Sequence, residues 1–147
     1  FLVIIHVDQK PDQFEKIEMV RFSYKENVRF ELQLMINRVQ KILNKIAVSH
    51  KIIKLCSGDT GFTSKITYDI EVWMPSINNF CEISSCSAFG DFQSRRSNIK
   101  VKSTIGKKYI FLHTLNGSGL PLGRTLAALL ENTCKTNNKL KLPICLL

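Results

Sequence analysis

The 147 residues carry 21 Lys or Arg against 12 Asp or Glu, a formal charge of +9, and leave room for one domain, which excludes a multidomain enzyme. Hydrophobic residues at 44% and charged residues at 22% are ordinary globular composition, which excludes wholesale disorder, collagen-like repeats and low-complexity tracts. The apolar run Phe1 to Ile5 falls far short of the roughly 20 residues that span a bilayer, so no membrane association is expected. Phe1 rather than Met stands first, and a fragment of something longer is expected.

Apolar residues at Val28, Phe30, Leu32, Met35, Ile36, Val39, Leu43 and Ile46 recur three or four apart, which predicts a surface helix between Glu26 and Val48 with one buried face. Lys51 to Cys56 reads as a short strand and Ser57 to Gly61 as a turn-rich loop. Ile66 to Met74 alternates, with Ile66, Tyr68, Ile70 and Val72 on one side and Thr67, Asp69, Glu71 and Trp73 on the other, and Pro75 ends the strand. Asp69 and Glu71 then share a face, as a functional floor or as a solvent-exposed one. Phe80 to Ser87 and Lys108 to Asn116 are further strands, with Gly106 and Lys107 in the turn before the second. Gly119 to Asn132 carries Leu120, Leu122, Leu126, Leu129 and Leu130 at helical spacing, with a Gly-Ser-Gly loop leading in. The order of elements is strand, helix, strand, several antiparallel strands, then helix.

The five cysteines, Cys56, Cys81, Cys86, Cys134 and Cys145, are odd in number. They lack CxxC spacing, and buried free thiols are expected rather than disulfides or structural zinc. Charge is uneven: from Phe92 onward ten Lys or Arg residues face one acid, Glu131, a balance that suits a phosphate-rich ligand or else reflects nucleotide composition bias in the gene.

Four local constellations bear on chemistry. Glu82-Ile83-Ser84-Ser85 offers a carboxylate and hydroxyls, hard oxygen ligands for magnesium; alternation puts Glu82 and Ser84 on one face unless a kink intervenes. Asn116-Gly117-Ser118-Gly119 reads as a loop entering a helix that carries Arg124, so that backbone amides and a guanidinium meet an anion, or else as a simple helix-entry turn. Phe89 to Arg96 interleaves aromatic and basic residues, as nucleic-acid contacts or as a buried aromatic pair beside surface arginines. Phe14 to Met19 places Glu15 and Glu18 near a strand. His6, His50 and His113 are scattered and neither GxSxG nor HExxH occurs, so hydrolase chemistry has no footing.

Five blocks in order, Asp12-Gln13-Phe14-Glu15-Lys16-Ile17-Glu18-Met19-Val20, Thr67 to Trp73, Glu82-Ile83-Ser84-Ser85-Cys86-Ser87, Asp91-Phe92-Gln93-Ser94-Arg95-Arg96 and Leu115-Asn116-Gly117-Ser118-Gly119-Leu120 with Gly123-Arg124-Thr125-Leu126, resemble the second half of the bacterial-type seryl-tRNA synthetases. The resemblance covers roughly residues 12 to 143 with the spacers between blocks kept. That family is a class II aminoacyl-tRNA synthetase family, so the resemblance implies an α+β fold, an antiparallel sheet flanked by helices, which agrees with the order of elements. The resemblance implies a partial catalytic domain over residues 1–147, from the second half of motif 2 through motif 3, without the amino-terminal tRNA-binding arm and motif 1. It implies ATP-dependent activation of serine to seryl adenylate and transfer to tRNA(Ser), in a longer chain that is a homodimer, with ATP as substrate and Mg2+ as cofactor.

By the same resemblance Phe14 stacks on adenine, Glu18 contacts serine, Ser118 meets the serine hydroxyl and Asn116 lies beside it. Glu82 and Ser85 are magnesium and ATP ligands, Ile83 and Ser84 supply backbone of the ATP site, and Arg124 clamps the ATP γ-phosphate. Arg124 and Glu82 are the catalytic pair. A hydroxyl substrate is selected by buried partners that alanine would leave unpaired. Phe1 to Lys10 departs from the family pattern, and the motif 2 arginine for the α-phosphate and the Thr-x-Glu loop do not occur, so the 147 residues alone are expected to be inactive. The other reading is a noncatalytic synthetase-like paralogue that binds nucleotide, tRNA or a protein partner. The family occurs in the bacterial cytoplasm and in mitochondria, which makes a cytoplasmic location the expectation and the mitochondrial matrix the alternative.

Overall fold

Helix α1 (Val28–Lys45) forms where the apolar spacing places it, after a single 3-10 turn at Lys25–Asn27. Its buried residues Leu32, Met35, Ile36, Val39 and Leu43 lie one or two turns apart on one face, and Phe30, counted with them from spacing, is exposed. In the computed structural model described here, residues 2–7, 14–103, 108–135, 139–140 and 143–146 are described. Phe1, Asp12, Gln13 and the turn residues Gly106 and Lys107 lie outside them.

The strands are β1 (Leu2–Val7), β2 (Phe14–Ser23), β3 (His50–Lys54), β4 (Ile66–Met74) and β5 (Asn79–Gly90). After the short helix α2 (Phe92–Arg96) come the hairpin strands β6 (Lys100–Lys102) and β7 (Tyr109–Phe111), then β8 (His113–Pro121) and helix α3 (Leu122–Thr133). A two-residue pair, β9 (Cys134–Lys135) with β10 (Lys139–Leu140), follows. Six strands make one antiparallel sheet in the order β1-β2-β8-β5-β4-β3. β4 has the bounds its alternation predicts.

One hydrophobic cluster joins the α1 face and Ala128 and Leu129 of α3 to Met19, Ile70, Val72, Ile83, Cys86, Ala88, Leu115 and Leu120 of the sheet. Both helices therefore cover the same sheet face. The opposite face is left for polar residues: Ser85 donates to Asp69 at 2.6 Å, and Thr67 and Ser87 share a hydroxyl contact at 2.7 Å. Asp69 and Glu71 do share this face, and Glu71 is paired with Lys51 at 2.9 Å. Among the described residues no helix is long and apolar enough to cross a membrane.

Two expectations change. Lys108 to Asn116 is not one strand: Leu112 separates β7 from β8. Asn116-Gly117-Ser118-Gly119 is not a helix-entry loop but the middle of β8, a strand with neighbours on both sides, and the helix starts only at Leu122. The glycines serve close approach rather than a turn. A Cβ on Gly117 would stand 2.6 Å from Cys86 Sγ and 3.0 Å from Met35 Cε, and one on Gly119 would stand 2.9 Å from the Ile17 carbonyl oxygen. Of the cysteines with described side chains, Cys86 is buried, Cys81 is half-buried, and Cys56 and Cys145 are exposed, so buried free thiols hold for Cys86.

Candidate active site

Strand register aims the strand-borne polar side chains at the open face, and helix α3 supplies Arg124. In β2 the period of two puts Phe14, Lys16 and Glu18 on one side of the sheet. Glu18 then faces Ser118 of β8, because the register slips at Ile17/Glu18 and leaves Gly119 as the unpaired residue of a bulge. A second slip lies between β4 and β5, where Ile70 pairs with Ser84 and Glu71 with Glu82, so Ile83 is the extra residue. That is the kink the sequence left open. It turns Glu82 and Ser85 to the open side together, and buries Ile83 and Ser84 in succession.

The result is a cavity of about 370 Å³ lined by Phe14, Lys16, Glu82, Ile83, Ser118, Pro121, Gly123 and Arg124. Phe14 is half-exposed, presenting an aromatic face. Arg124 sits in the first turn of α3 and donates to the Glu82 backbone carbonyl at 2.5 Å, which ties the start of the helix to the bulge of β5. An aromatic wall with a fixed guanidinium suits a flat base joined to phosphate. The Glu82 carboxylate makes no ion pair among the described residues.

Behind the cavity wall Glu18 is nine-tenths buried, and a buried carboxylate needs compensation. Asn116 Nδ2 donates to its Oε1 at 2.9 Å, and Lys16 Nζ stands 3.0 Å from its Oε2. Oε2 is buried, with the Lys16 ammonium as its ion-pair partner. A carboxylate so placed beside the Ser118 hydroxyl suits a small ligand bearing both an ammonium and a hydroxyl group.

Ser84 is turned away: it is buried and donates to the Ser118 carbonyl oxygen at 2.6 Å, bracing β5 against β8. Ser85 donates its proton to Asp69, which leaves its oxygen lone pairs for a cation. With Glu82 on the same face, one carboxylate and one hydroxyl oxygen fit magnesium held together with ligand phosphates, since that ion keeps few protein ligands. Among the described residues no group of three or more His, Cys, Asp and Glu is placed to hold a metal without a ligand's help.

Phe14, Glu82, Ile83, Ser118 and Arg124 are thus brought to one cavity, Glu18 and Asn116 to one hydrogen bond beside it, and Ser85 to Asp69. Sequence reasoning did not single out Lys16, Pro121 and Gly123 as lining residues, or Asp69 as the partner of Ser85. Lys16 was within reach, because alternation alone places it between Phe14 and Glu18.

A family model, the tRNA synthetase class II core domain (G, H, P, S and T), matches residues 10–133. The chain belongs to this class II synthetase family. It is 48% identical over 135 residues to a serine–tRNA ligase of Alkaliphilus oremlandii (strain OhILAs), a match covering 92% of this chain and 32% of that protein. A serine–tRNA ligase of Clostridium botulinum (strain Eklund 17B / Type B) is 47% identical over 131 residues, covering 89% of this chain and 31% of the relative. Among solved structures, a seryl-tRNA synthetase from Pyrococcus horikoshii complexed with ATP superposes with a TM-score of 0.87 at 29% identity, over 95% of this chain and 32% of that one. The cytoplasmic serine–tRNA ligase of Naegleria fowleri in complex with AMP gives 0.80 at 30% identity, over 91% and 32%. The chain spans about a third of the length of the relatives it matches. The six-stranded antiparallel sheet with helices on one face is the class II synthetase catalytic fold.

Proposed function

We propose that this chain provides the ATP and serine sites of a serine–tRNA ligase, within a longer polypeptide that activates serine and charges tRNA(Ser). The observation that carries the reading is the convergence of Phe14, Glu82, Ser118 and Arg124 on one cavity with the Glu18–Asn116 pair directly behind it.

In the first step serine's carboxylate attacks the α-phosphorus of ATP in line, giving seryl adenylate and releasing pyrophosphate. Phe14 stacks on adenine and Arg124 holds the γ-phosphate, which fixes the triphosphate at both ends so that attack becomes effectively unimolecular. Glu18 takes the serine ammonium and Ser118 the hydroxyl, an arrangement that rejects alanine because a buried partner would be left unpaired. Glu82 and Ser85 would hold magnesium, which would supply charge neutralisation. In the second step the terminal ribose hydroxyl of tRNA(Ser) attacks the seryl carbonyl and AMP leaves. Positioning and charge suffice for both steps, in keeping with the lack of a nucleophile triad. A homodimer is proposed for the longer polypeptide.

The test is a chimera in which these residues replace the matched segment of the Alkaliphilus oremlandii relative, assayed for amino-acid-dependent exchange of pyrophosphate into ATP. Serine is the expected substrate among all twenty amino acids. Preference for another amino acid, or a folded chimera without exchange, overturns the reading. The 147 residues alone are expected to give none, lacking the α-phosphate arginine and the Thr-x-Glu loop.

A further inference from the structure

Lys16 belongs to two environments at once. Its side chain lines the cavity with Phe14 and Arg124, and its Nζ lies 3.0 Å from Glu18 Oε2. The Oε2 atom is buried, and the Lys16 ammonium neutralises it there. Asn116 already fills the other oxygen. An incoming ammonium that takes Oε2 must displace Lys16.

We propose that Lys16 is a placeholder for the substrate ammonium and a carrier of its charge: it neutralises Glu18 in the empty site, and moves to ATP phosphate when serine takes the carboxylate. This rests on the ATP and serine reading of the site. Lys16 is suited to both positions. Its ammonium is a compact point charge on a four-carbon stem, with three rotatable donors and no fixed geometry to lose on exchange. The alternating register holds its Cα between Phe14 and Glu18, so the stem pivots between the wall of the cavity and the carboxylate behind it.

The consequence is coupling between two ligands that need not touch. With Lys16 on Glu18, serine must displace an ion pair. With triphosphate in the cavity the lysine has a better counter-charge, Glu18 is released, and serine binds more tightly. Linkage requires the reverse as well, so serine tightens ATP by the same factor. Glu18 is never left buried and uncompensated, which would cost several kcal/mol.

The experiment is isothermal titration of the chimera with serine, with magnesium and a non-hydrolysable ATP analogue, and with each in the presence of the other, for wild type, Lys16→Met and Lys16→Arg. In wild type each ligand is expected to lower the Kd of the other about tenfold, the size of one charge-assisted contact. In Lys16→Met this factor falls to within about twofold, ATP alone weakens about tenfold, and serine alone tightens about twofold to fivefold because the Lys16–Glu18 ion pair no longer competes. Lys16→Arg retains the coupling. Opposite signs for the two ligands are the signature, since a structural role for Lys16 weakens both together. Equal weakening of serine and ATP, or unchanged coupling in Lys16→Met, overturns the placeholder while leaving the functional reading intact. A wild-type chimera that folds and binds neither ligand overturns both.

Discussion

Asn116 of β8 donates its side-chain amide to the Glu18 carboxylate of β2 at 2.9 Å, a contact between residues 98 positions apart in the chain. Glu18 pairs in register with Ser118 and Val20 with Asn116, so the bond crosses the ladder diagonally on the open face. It fixes the carboxylate rotamer while Lys16 compensates the charge, and so presents Oε2 in one direction.

Glu18→Gln in the chimera is expected to cost serine binding about tenfold to hundredfold, the worth of a charged hydrogen bond to an ammonium, with little change for ATP. Asn116→Ala is expected to do less alone and almost nothing on top of Glu18→Gln, because its effect passes through that carboxylate. A double-mutant cycle on the Michaelis constant for serine measures this. Additive losses would show that Asn116 meets the substrate independently of Glu18.

Arg124→Ala is expected to raise the Michaelis constant for ATP about tenfold to hundredfold, as the loss of one guanidinium–phosphate contact, with serine affected far less. Arg124 also donates to the Glu82 carbonyl, so part of the loss is slack between α3 and the β5 bulge. Arg124→Lys separates the two: it restores charge without the planar fork, and recovers little if geometry dominates. Steady-state exchange kinetics with each substrate varied in turn is the measurement, and equal losses for both substrates would point to misfolding.

The elements that pack one face onto one partner were legible in the sequence. Leu32, Met35, Ile36, Val39 and Leu43 announce α1 by spacing, and Ile70 with Val72 announce the buried side of β4, because periodicity records burial directly. What was not legible depends on a partner strand. The bulge at Ile83 exists only relative to Ile70 and Glu71 of β4, and it decides that Glu82 and Ser85 share a face, which simple alternation denies. Gly117 and Gly119 were read as turn punctuation, since glycine most often breaks local structure. Their reason lies far away in sequence, at Met35, Cys86 and Ile17. The site residues themselves came from the five blocks held in order, not from any single local pattern.

Gly117→Ala tests that close approach. The new Cβ would meet Cys86 Sγ at 2.6 Å, Met35 Cε at 3.0 Å and the Cys86 Cα at 3.2 Å. Side chains can give way but the backbone of β5 cannot, so a loss of about 1 to 3 kcal/mol is expected, typical of overpacking in a core. Gly58→Ala, with nothing within 4 Å of the added carbon, is expected to stay within about 0.5 kcal/mol of wild type. Urea unfolding of the two variants decides it, and equal midpoints would mean that β5 and β8 are not as tightly apposed as Gly117 implies.

Cys86 makes stability depend on alkaline pH. Its side chain is fully buried against α1, and that burial pushes the thiol from 9.0 up to about 11; the Ser84 hydroxyl opposes the rise, while the Glu18 and Asp69 carboxylates add to it. In the unfolded chain the thiol ionises near its ordinary value. Below pH 9 both states keep the proton and the preference of the fold for a neutral thiol is fully present. Between 9 and about 11 the unfolded state gives up its proton first, so the native state holds more protons and unfolding becomes easier as pH rises. Two pK units amount to about 2 to 3 kcal/mol over that window. The measurement is the difference in unfolding free energy between wild type and Cys86→Ala as a function of pH, which isolates the thiol. Cys86→Ala is expected to be the less stable protein at pH 7, since it opens a gap beside Met35 and Gly117. Its disadvantage should shrink by those 2 to 3 kcal/mol on approaching pH 11, because only wild type carries the thiol whose ionisation favours unfolding. A difference that stays constant across the window would mean the thiol ionises in the fold as it does in water, and that the β5–β8 seam is wet.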